Sequence, residues 1–263
     1  MDWLTLFGTG LGVTAVVMLL TWMWAVKINN YGIVDAAWAF CFFLQAIIFF
    51  MLSDGFETRK IILLFMIGLW SSRLGFFLTR RLYRLHPEED SRYKHLRADY
   101  QEKLKSKFLV FYFYQALSVS ILTLPFIWVF NNSDVRINIF EMVGAAYWLF
   151  SVMGESIADY QMGLFKKMSK ENPKMGKTCN IGLWKYSRHP NYFFESNIWW
   201  GFFIFMIGSG VYWGVYSAII ILLLLLKVTG VPPSEEQALK NRGDEYREYQ
   251  RKTSMFIPWF PKA

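Results

Sequence analysis

Long apolar runs separated by short polar segments dominate the chain. Seven runs are long enough to cross a bilayer core of about 30 Å, which takes ~20 mostly apolar residues in a helix. They cover residues 3–26, 33–52, 61–78, 108–130, 139–157, 192–207 and 212–228. Helices satisfy every backbone amide within the lipid. The pattern therefore predicts an all-α integral membrane protein with seven transmembrane helices, in which residues 1–263 form a single membrane domain.

The polar segments between these runs alternate in positive charge. Residues 80–107 hold nine Lys and Arg, whereas residues 158–190 and 227–263 hold seven each. The intervening segments, 53–60 and 131–138, hold two and one, and the hairpin 208–211 holds none. Because short loops rich in Lys and Arg stay in the cytoplasm, we expect an outside N-terminus and a cytoplasmic C-terminus.

Composition supports this class of protein. Hydrophobic residues make up 54% of the chain, aromatic residues 19% and charged residues 18%, which excludes an ordinary soluble domain. Cytoplasmic loops account for the net charge of +8, so we expect membrane lipids and no nucleic acid as partners. Cys41 and Cys179 form no CxxC pair and are predicted to be free thiols, with no metal site. We expect a multi-pass protein of a bacterial inner membrane, in preference to the endoplasmic reticulum.

Polar side chains gather where a basic loop meets the sixth apolar run. Arg188, His189, Asn191 and Glu195 lie here, and Pro190 suits the first turn of a helix, where its missing amide hydrogen would have no partner. Asn191 and Glu195 are four residues apart and share a helix face. A carboxylate one turn inside a membrane is costly and normally faces a polar cavity or a partner. For Arg188 and His189, interfacial anchoring is the alternative.

Glu155 and Asp159 repeat this pattern at the end of the fifth run. Two helices would then offer acid and amide groups at the same depth, suited to a ligand's ribose hydroxyls or amide. Candidates for its phosphates are Lys166, Lys167, Arg188 and Arg84. Alternatively, Glu155 and Asp159 pair with Arg73 or Arg188.

Two ionisable residues lie within earlier runs. Arg73 in the third run and Asp35 near the start of the second are functional candidates, because charges at membrane depth are rare. A salt bridge between them is the alternative.

The tail, residues 229–263, is predicted to contain a short helix that closes the cofactor site. Acidic Glu235 at its start and basic residues later suit the helix dipole, and Gly243 marks its end. Tyr246 and Tyr249 would share a face over a bound cofactor. An amphipathic helix lying on the membrane is the alternative.

Two stretches carry a family resemblance: GLWKYSRHPNYFFE and GDEYREYQRKTSMFIPWFP. They resemble the steroid 5-alpha-reductase-like membrane proteins, in particular a bacterial branch once catalogued as a domain of unknown function. The signature RHPNY-x-x-acid is similar to that of sterol C=C reductases and, more loosely, of isoprenylcysteine carboxyl methyltransferases. The resemblance covers residues 139–263 well. The first half matches through its architecture and through Val34-Asp35, Arg73-Leu74 and Asp90-x-Arg92-Tyr93.

The resemblance implies a reductase that takes NADPH from the cytoplasm and reduces an activated C=C bond in a lipid, such as a 3-oxo-4-ene steroid. It implies that Asn191 and Glu195 contact the nicotinamide half of NADPH, and that Asp159 and Lys166 belong to the nucleotide site. The full set of expected cofactor-binding residues is Arg73, Arg84, Glu155, Asp159, Lys166, Arg188, His189, Asn191, Tyr192, Glu195, Tyr246 and Tyr249.

The resemblance also implies a catalytic pair, an acid on helix two and a tyrosine on helix three. Asp35 matches the acid, and a protonated Asp35 in an apolar pocket would hydrogen-bond the substrate carbonyl. Trp70 stands at the tyrosine position, Phe194 replaces a usual glycine, and Glu155 stands where steroid reductases have asparagine. These departures weaken the steroid assignment more than the cofactor assignment.

The main alternative is an S-adenosylmethionine-dependent membrane methyltransferase, which shares RHP-x-Y, a Glu-Glu pair and a Tyr-x-x-Tyr tail. The acid four residues after Asn191, and Asp159 on the preceding helix, favour the reductase. A non-catalytic lipid-binding protein would leave both unexplained.

Overall fold

The computed structural model describes residues 1–85 and 88–262, apart from the side chains of Ser91 and Glu102. Its α-helices are α1 Trp3–Ile28, α2 Val34–Leu52, α3 Glu57–Leu85, α4 Ser91–Tyr100, α5 Leu104–Thr123, α6 Phe126–Phe130, α7 Ile139–Glu171, α8 Pro190–Ile207, α9 Val215–Leu223, α10 Val231–Arg242 and α11 Asp244–Lys252. A π-helical turn, Leu224–Val228, links α9 to α10. The described residues contain no β-strand, so the predicted all-helical class is confirmed.

Four stretches of the described chain are long and apolar enough to cross a membrane. They are Trp3–Ile28, Tyr31–Leu52, Glu57–Leu85 and Tyr212–Arg242. This supports an integral membrane protein in a lipid environment. The count of seven spans, the side of each terminus and the choice of membrane stay predictions.

Several helices differ from the predicted runs. The run 108–130 is broken, because α5 ends at Thr123 and Pro125 precedes the short α6; a proline has no amide hydrogen to continue the helix. Helix α7 continues to Glu171, so Asp159 lies inside the helix and not at its end. The tail holds two short helices and not one. Gly243 separates them with a φ of 56°, which confirms the predicted helix end.

The described residues fall into two compact units, Met1–Ile137 and Asn138–Ala263, and each is described by itself. The prediction of one membrane domain stays a prediction.

A buried amide joins three helices of the first unit. Gln45 on α2 donates from Nε2 to Thr14 Oγ1 on α1 at 2.8 Å and to Ser120 Oγ on α5 at 2.7 Å. Its Oε1 accepts from Thr123 Oγ1 at 2.5 Å. All four side chains are buried. Within lipid, such bonds between helices fix which faces meet.

A buried arginine holds the segment that precedes the second unit. Arg59, in the first turns of α3, is fully buried and donates to the carbonyl oxygens of Asn132, Asp134 and Arg136 at 3.0, 2.6 and 2.7 Å. The guanidinium therefore satisfies three carbonyls that no regular element serves.

Small residues let α7 and α8 of the second unit pack closely. A Cβ atom at Gly144 would lie 2.4 Å from the amide nitrogen of Phe205, and one at Gly201 would lie 2.7 Å from the Cβ of Trp148. Small residues at such contacts allow helix backbones to approach each other in membrane proteins. This helix pair carries six of the twelve predicted cofactor-binding residues.

Candidate functional site

Arg188 and His189 converge on one carboxylate, that of Glu235 in α10. Arg188 donates to it from Nε at 2.7 Å and from Nη2 at 3.2 Å. His189 Nε2 lies 3.1 Å from Oε1, and since a carboxylate only accepts, this nitrogen carries the proton. Gln250 Nε2 donates to Oε2 at 2.5 Å. Glu235 thus joins the turn before α8 to the tail.

The remaining donor of Arg188 also contacts the tail. Its Nη1 donates to the carbonyl oxygens of Gln250 and Thr253 at 3.0 and 2.8 Å. Arg188 is therefore engaged with the protein itself, and its predicted phosphate contact stays a prediction.

Three tyrosines continue this network. Tyr246 donates its hydroxyl to Glu235 Oε1 at 2.9 Å, and Tyr249 donates to the carbonyl oxygens of Trp184 and Ser187. Burial raises the pKa of Tyr246 and Tyr249, so both stay neutral donors at neutral pH. The ring of Tyr192 stacks on that of His189, with centroids 5.4 Å apart.

Tyr246 and Tyr249 lie on one helix, close to each other, as their spacing of three residues predicts. Tyr246 and Tyr249 share α11, with ring centroids 5.8 Å apart, and both rings are buried. The tail helices are docked against the turn before α8 through these rings and through Glu235.

Asn191 differs from its neighbours in this motif. Its Oδ1 is buried and has no hydrogen-bond partner in the described part of the chain. It lies in the first turn of α8, which begins at Pro190 as predicted. One turn further, Glu195 Oε1 accepts from Trp199 Nε1 at 3.3 Å. Asn191 therefore offers a buried acceptor to a ligand that carries an N–H or O–H group.

Helix α7 faces this part of α8. A Cβ atom at Gly154 would lie 2.4 Å from the ring of Phe194, so Glu155 and Glu195, each the next residue along, lie near the contact of the two helices. Glu155 is buried and Asp159 half-buried, while Lys166 is exposed three turns beyond Glu155. The predicted pair of acids on one helix is therefore present.

In the first unit, Asp35 has two donors. Arg92 Nη2 lies 2.7 Å from Oδ2, and the Tyr93 hydroxyl donates to Oδ1 at 2.6 Å. Tyr93 is buried, which raises its pKa well above the ordinary value. Both oxygens of Asp35 thus act as acceptors here. Its catalytic role stays a prediction.

Arg92, which pairs with Asp35, also pairs with Asp90. The carboxylate of Asp90 contacts Arg92 Nε at 3.2 Å and also Arg81. Burial alone would raise the pKa of Asp90, but Arg92 and Arg81 hold it below the ordinary value. The motif Asp90-x-Arg92-Tyr93 therefore fixes α4 against the start of α2.

The other two predicted residues of this unit lie on α3. Arg73 is half-buried in the helix, and Arg84 is exposed in its last turn. Their predicted cofactor contacts stay predictions.

Sequence reasoning did not predict that Glu235 is the shared acceptor of this hydrogen-bond network. The sequence presents it as a charge that complements a helix dipole and as one of a Glu-Glu pair, whereas four side chains donate to it. The available signal was its position two residues after Pro232-Pro233, close to the start of α10 at Val231. The predicted free thiols are confirmed: Cys41 and Cys179 are both buried and unbonded to each other.

Comparison with known proteins gives a family but no activity. Residues 21–253 match the family described as "Protein of unknown function (DUF1295)". An uncharacterized protein of Schizosaccharomyces pombe is 24% identical over 280 residues, which cover 96% of this chain and 79% of that protein. No solved structure matches the chain.

Proposed function

The chain belongs to the family of proteins of unknown function DUF1295, and from that premise we propose that it is a membrane reductase. The reaction would be NADPH-dependent reduction of an activated C=C bond in a lipid, steroid-like or another enone. The proposal rests on the RHPNY-x-x-Glu motif together with the state of Asn191.

The observation that carries the proposal is the buried, unpartnered Oδ1 of Asn191. A buried acceptor without a donor costs about 1–3 kcal/mol, and the neighbouring Arg188 and His189 both have partners. The carboxamide of a nicotinamide ring carries N–H donors that fit such an acceptor. Asn191 would thereby orient the ring.

The neighbouring groups suit the remainder of that cofactor. Glu195, one turn further along α8, and Glu155 on α7 offer carboxylates near the contact of the two helices. Lys166 and Lys167 are exposed cations on α7 and stay the candidates for the phosphates. Arg188 would contribute indirectly, because its pairing with Glu235 fixes the turn before Asn191.

When bound, NADPH supplies the hydride that reduces the double bond. The chain would hold the substrate carbonyl so that charge developing on its oxygen is stabilised. Asp35 is the predicted donor, which requires a proton on a carboxyl that here accepts from Arg92 and Tyr93. We expect Asp35→Ala to abolish turnover while NADPH binding persists.

Ligand-induced thermal stabilisation tests the cofactor. A ligand that binds the native state raises the melting temperature, so NADPH should stabilise the purified protein and S-adenosylmethionine should not. Asn191→Ala removes the acceptor and should weaken NADPH binding about tenfold, equivalent to ~1.4 kcal/mol. Asn241→Ala, an exposed asparagine on α10, is the control and should bind normally.

Oxidation of NADPH in the presence of a panel of enone lipids tests the reaction. Stabilisation by S-adenosylmethionine instead of NADPH would favour the methyltransferase alternative. Equal NADPH binding by the Asn191 variant and its control would refute the assignment of Asn191.

A further inference from the structure

Residues 253–262 form a loop, here called the ribbon, that is fixed to the turn before α8. The two ends of the ribbon meet, because the Lys262 amide donates to the Lys252 carbonyl at 2.8 Å. The Ser254 carbonyl accepts from the Arg188 amide at 2.8 Å, and the Trp259 amide donates to the Tyr186 carbonyl at 2.9 Å. Between them, Ser187 Oγ donates to the Phe256 carbonyl at 2.8 Å. These bonds involve the main chain of the ribbon, so its path is set whatever its side chains contact.

The ribbon presents its apolar side chains outward. Ile257 is 64% exposed, Trp259 69% and Phe260 75%. Phe256 points the other way and packs edge-to-face on Phe193 of α8, with ring centroids 5.8 Å apart. The rings of Trp259 and Phe260 contact each other, with centroids 6.3 Å apart. The three exposed side chains, held by a fixed backbone, are called the patch below, and exposed apolar patches mark contact with a partner or a membrane.

The position of the patch along α8 indicates which of these it meets. The end of α8 at Ile207 leads through four residues into the candidate span that starts at Tyr212. The 18 residues of α8 rise about 27 Å at ~1.5 Å per residue, close to the ~30 Å of a hydrocarbon core. With α8 as the predicted sixth membrane span, Pro190 would lie near the opposite boundary. The ribbon is bonded to residues two to four positions before Pro190.

Charges at the two ends of the ribbon fit this boundary. Arg251 precedes it and Lys262 lies near its end, and both are exposed. Aromatic side chains combined with Lys and Arg concentrate at the membrane–water interface, where the rings enter the headgroup region and the cations stay in water.

We propose that Ile257, Trp259 and Phe260 insert into the interfacial region of the lipid bilayer at the α8 start. The ribbon is then a membrane anchor for the tail, independent of which reaction the protein performs. Because the ribbon is bonded to the turn that carries Arg188, the bilayer surface would position the tail relative to that turn.

Depth measurement with spin labels tests the anchor in the full chain reconstituted in phospholipid nanodiscs. Labels are attached at Ile257→Cys and Phe260→Cys, with Glu248→Cys on α11, 56% exposed, as the matched control. The native Cys41 and Cys179 are buried, and unaltered protein measures any labelling of them. For each label, the relaxation caused by oxygen is divided by the relaxation caused by a water-soluble nickel chelate. This ratio should be at least threefold higher at positions 257 and 260 than at position 248.

A second measurement uses the native side chain. Lipids brominated near the headgroup should quench the fluorescence of the unaltered protein more than that of Trp259→Phe, a change of little volume at an exposed site. Labels at 257 and 260 that are as open to nickel as position 248 would overturn the proposal. Labels immobilised and shielded from both reagents would also overturn it, because a protein and not lipid would then cover the ribbon.

Discussion

The carboxylate of Glu235 links the turn before α8 to the tail, and Glu235→Gln should release that link. The change keeps the shape of the side chain but removes its charge. Arg188 would lose its ion pair in a setting where both side chains are 85–90% shielded from solvent, since their exposed fractions are 10% and 15%. The amide would also turn an N–H group toward His189, Tyr246 or Gln250, all of which donate to the carboxylate.

The expected cost follows from this geometry. Breaking a buried ion pair by removing one partner costs about 3–5 kcal/mol. Arg188 keeps its bonds to the carbonyl oxygens of Gln250 and Thr253, and glutamine retains one acceptor. We therefore expect about 2–3 kcal/mol of local destabilisation, lower than the full penalty.

Amide hydrogen exchange measures this locally. Protected amides of α10 and α11 should exchange roughly 30- to 150-fold faster in Glu235→Gln, because each 1.4 kcal/mol is about tenfold. Amides in α1 and α2 should not change.

The adjacent glutamate provides a matched control. Glu236 is 66% exposed and pairs with Lys240 at 2.6 Å, itself 60% exposed. Such surface pairs contribute about 0–1 kcal/mol, so Glu236→Gln should alter exchange less than about fivefold. Equal effects of the two substitutions would refute the reasoning that Glu235 organises the tail.

Three further predictions concern stability. Arg59→Met should lower the free energy of unfolding by about 3–5 kcal/mol, because three carbonyls lose the donors of the fully buried Arg59 side chain, and denaturant titration measures this. Gly154→Ala should clash with the ring of Phe194 and lower the melting temperature, whereas the double variant with Phe194→Leu should recover part of the loss. Asp90 has a lowered folded-state pKa, so its stabilising contribution is present above the unfolded value of about 3.9 and is lost as the pH falls through the folded value. Hydrogen exchange of α4 should then rise in acid, and Asp90→Asn should remove this pH dependence.

Each of these has a contradicting outcome. A loss of similar size for Arg136→Met, whose side chain is 85% exposed, would show that burial of Arg59 is not the cause. Additive effects of the Gly154 and Phe194 changes would show that the two residues do not interact. An unchanged acid dependence after Asp90→Asn would assign the titration to another group.

Local signals in the sequence predicted much of the second unit. Pro190 at the start of α8, Asn191 and Glu195 on one helix, and Gly243 at a helix end all follow from backbone chemistry that acts within a few residues. The break at Pro125 was missed because hydrophobicity continues on both sides of it. The proline itself carried the signal.

Long-range partners could not be predicted in the same way. Glu235 lies 47 residues after Arg188, and Arg92 lies 57 residues after Asp35. No periodicity relates such positions, so the sequence offers Arg73 only as an alternative partner for Asp35 and does not identify Arg92. Phe194 was noted as a departure from the family glycine, but its accommodation by Gly154 needs the packing of α7 against α8.

The amide of Gln45 has a consequence for biosynthesis. Its partner Thr14 precedes it by 31 residues, whereas Ser120 and Thr123 follow by 75 and 78. At about 5–20 residues per second, a ribosome needs roughly 4–15 s to make the missing partners. During that interval, newly inserted α2 holds an incompletely bonded amide in the bilayer. The α1–α2 hairpin can then bind chaperones or non-native helices until α5 has been inserted.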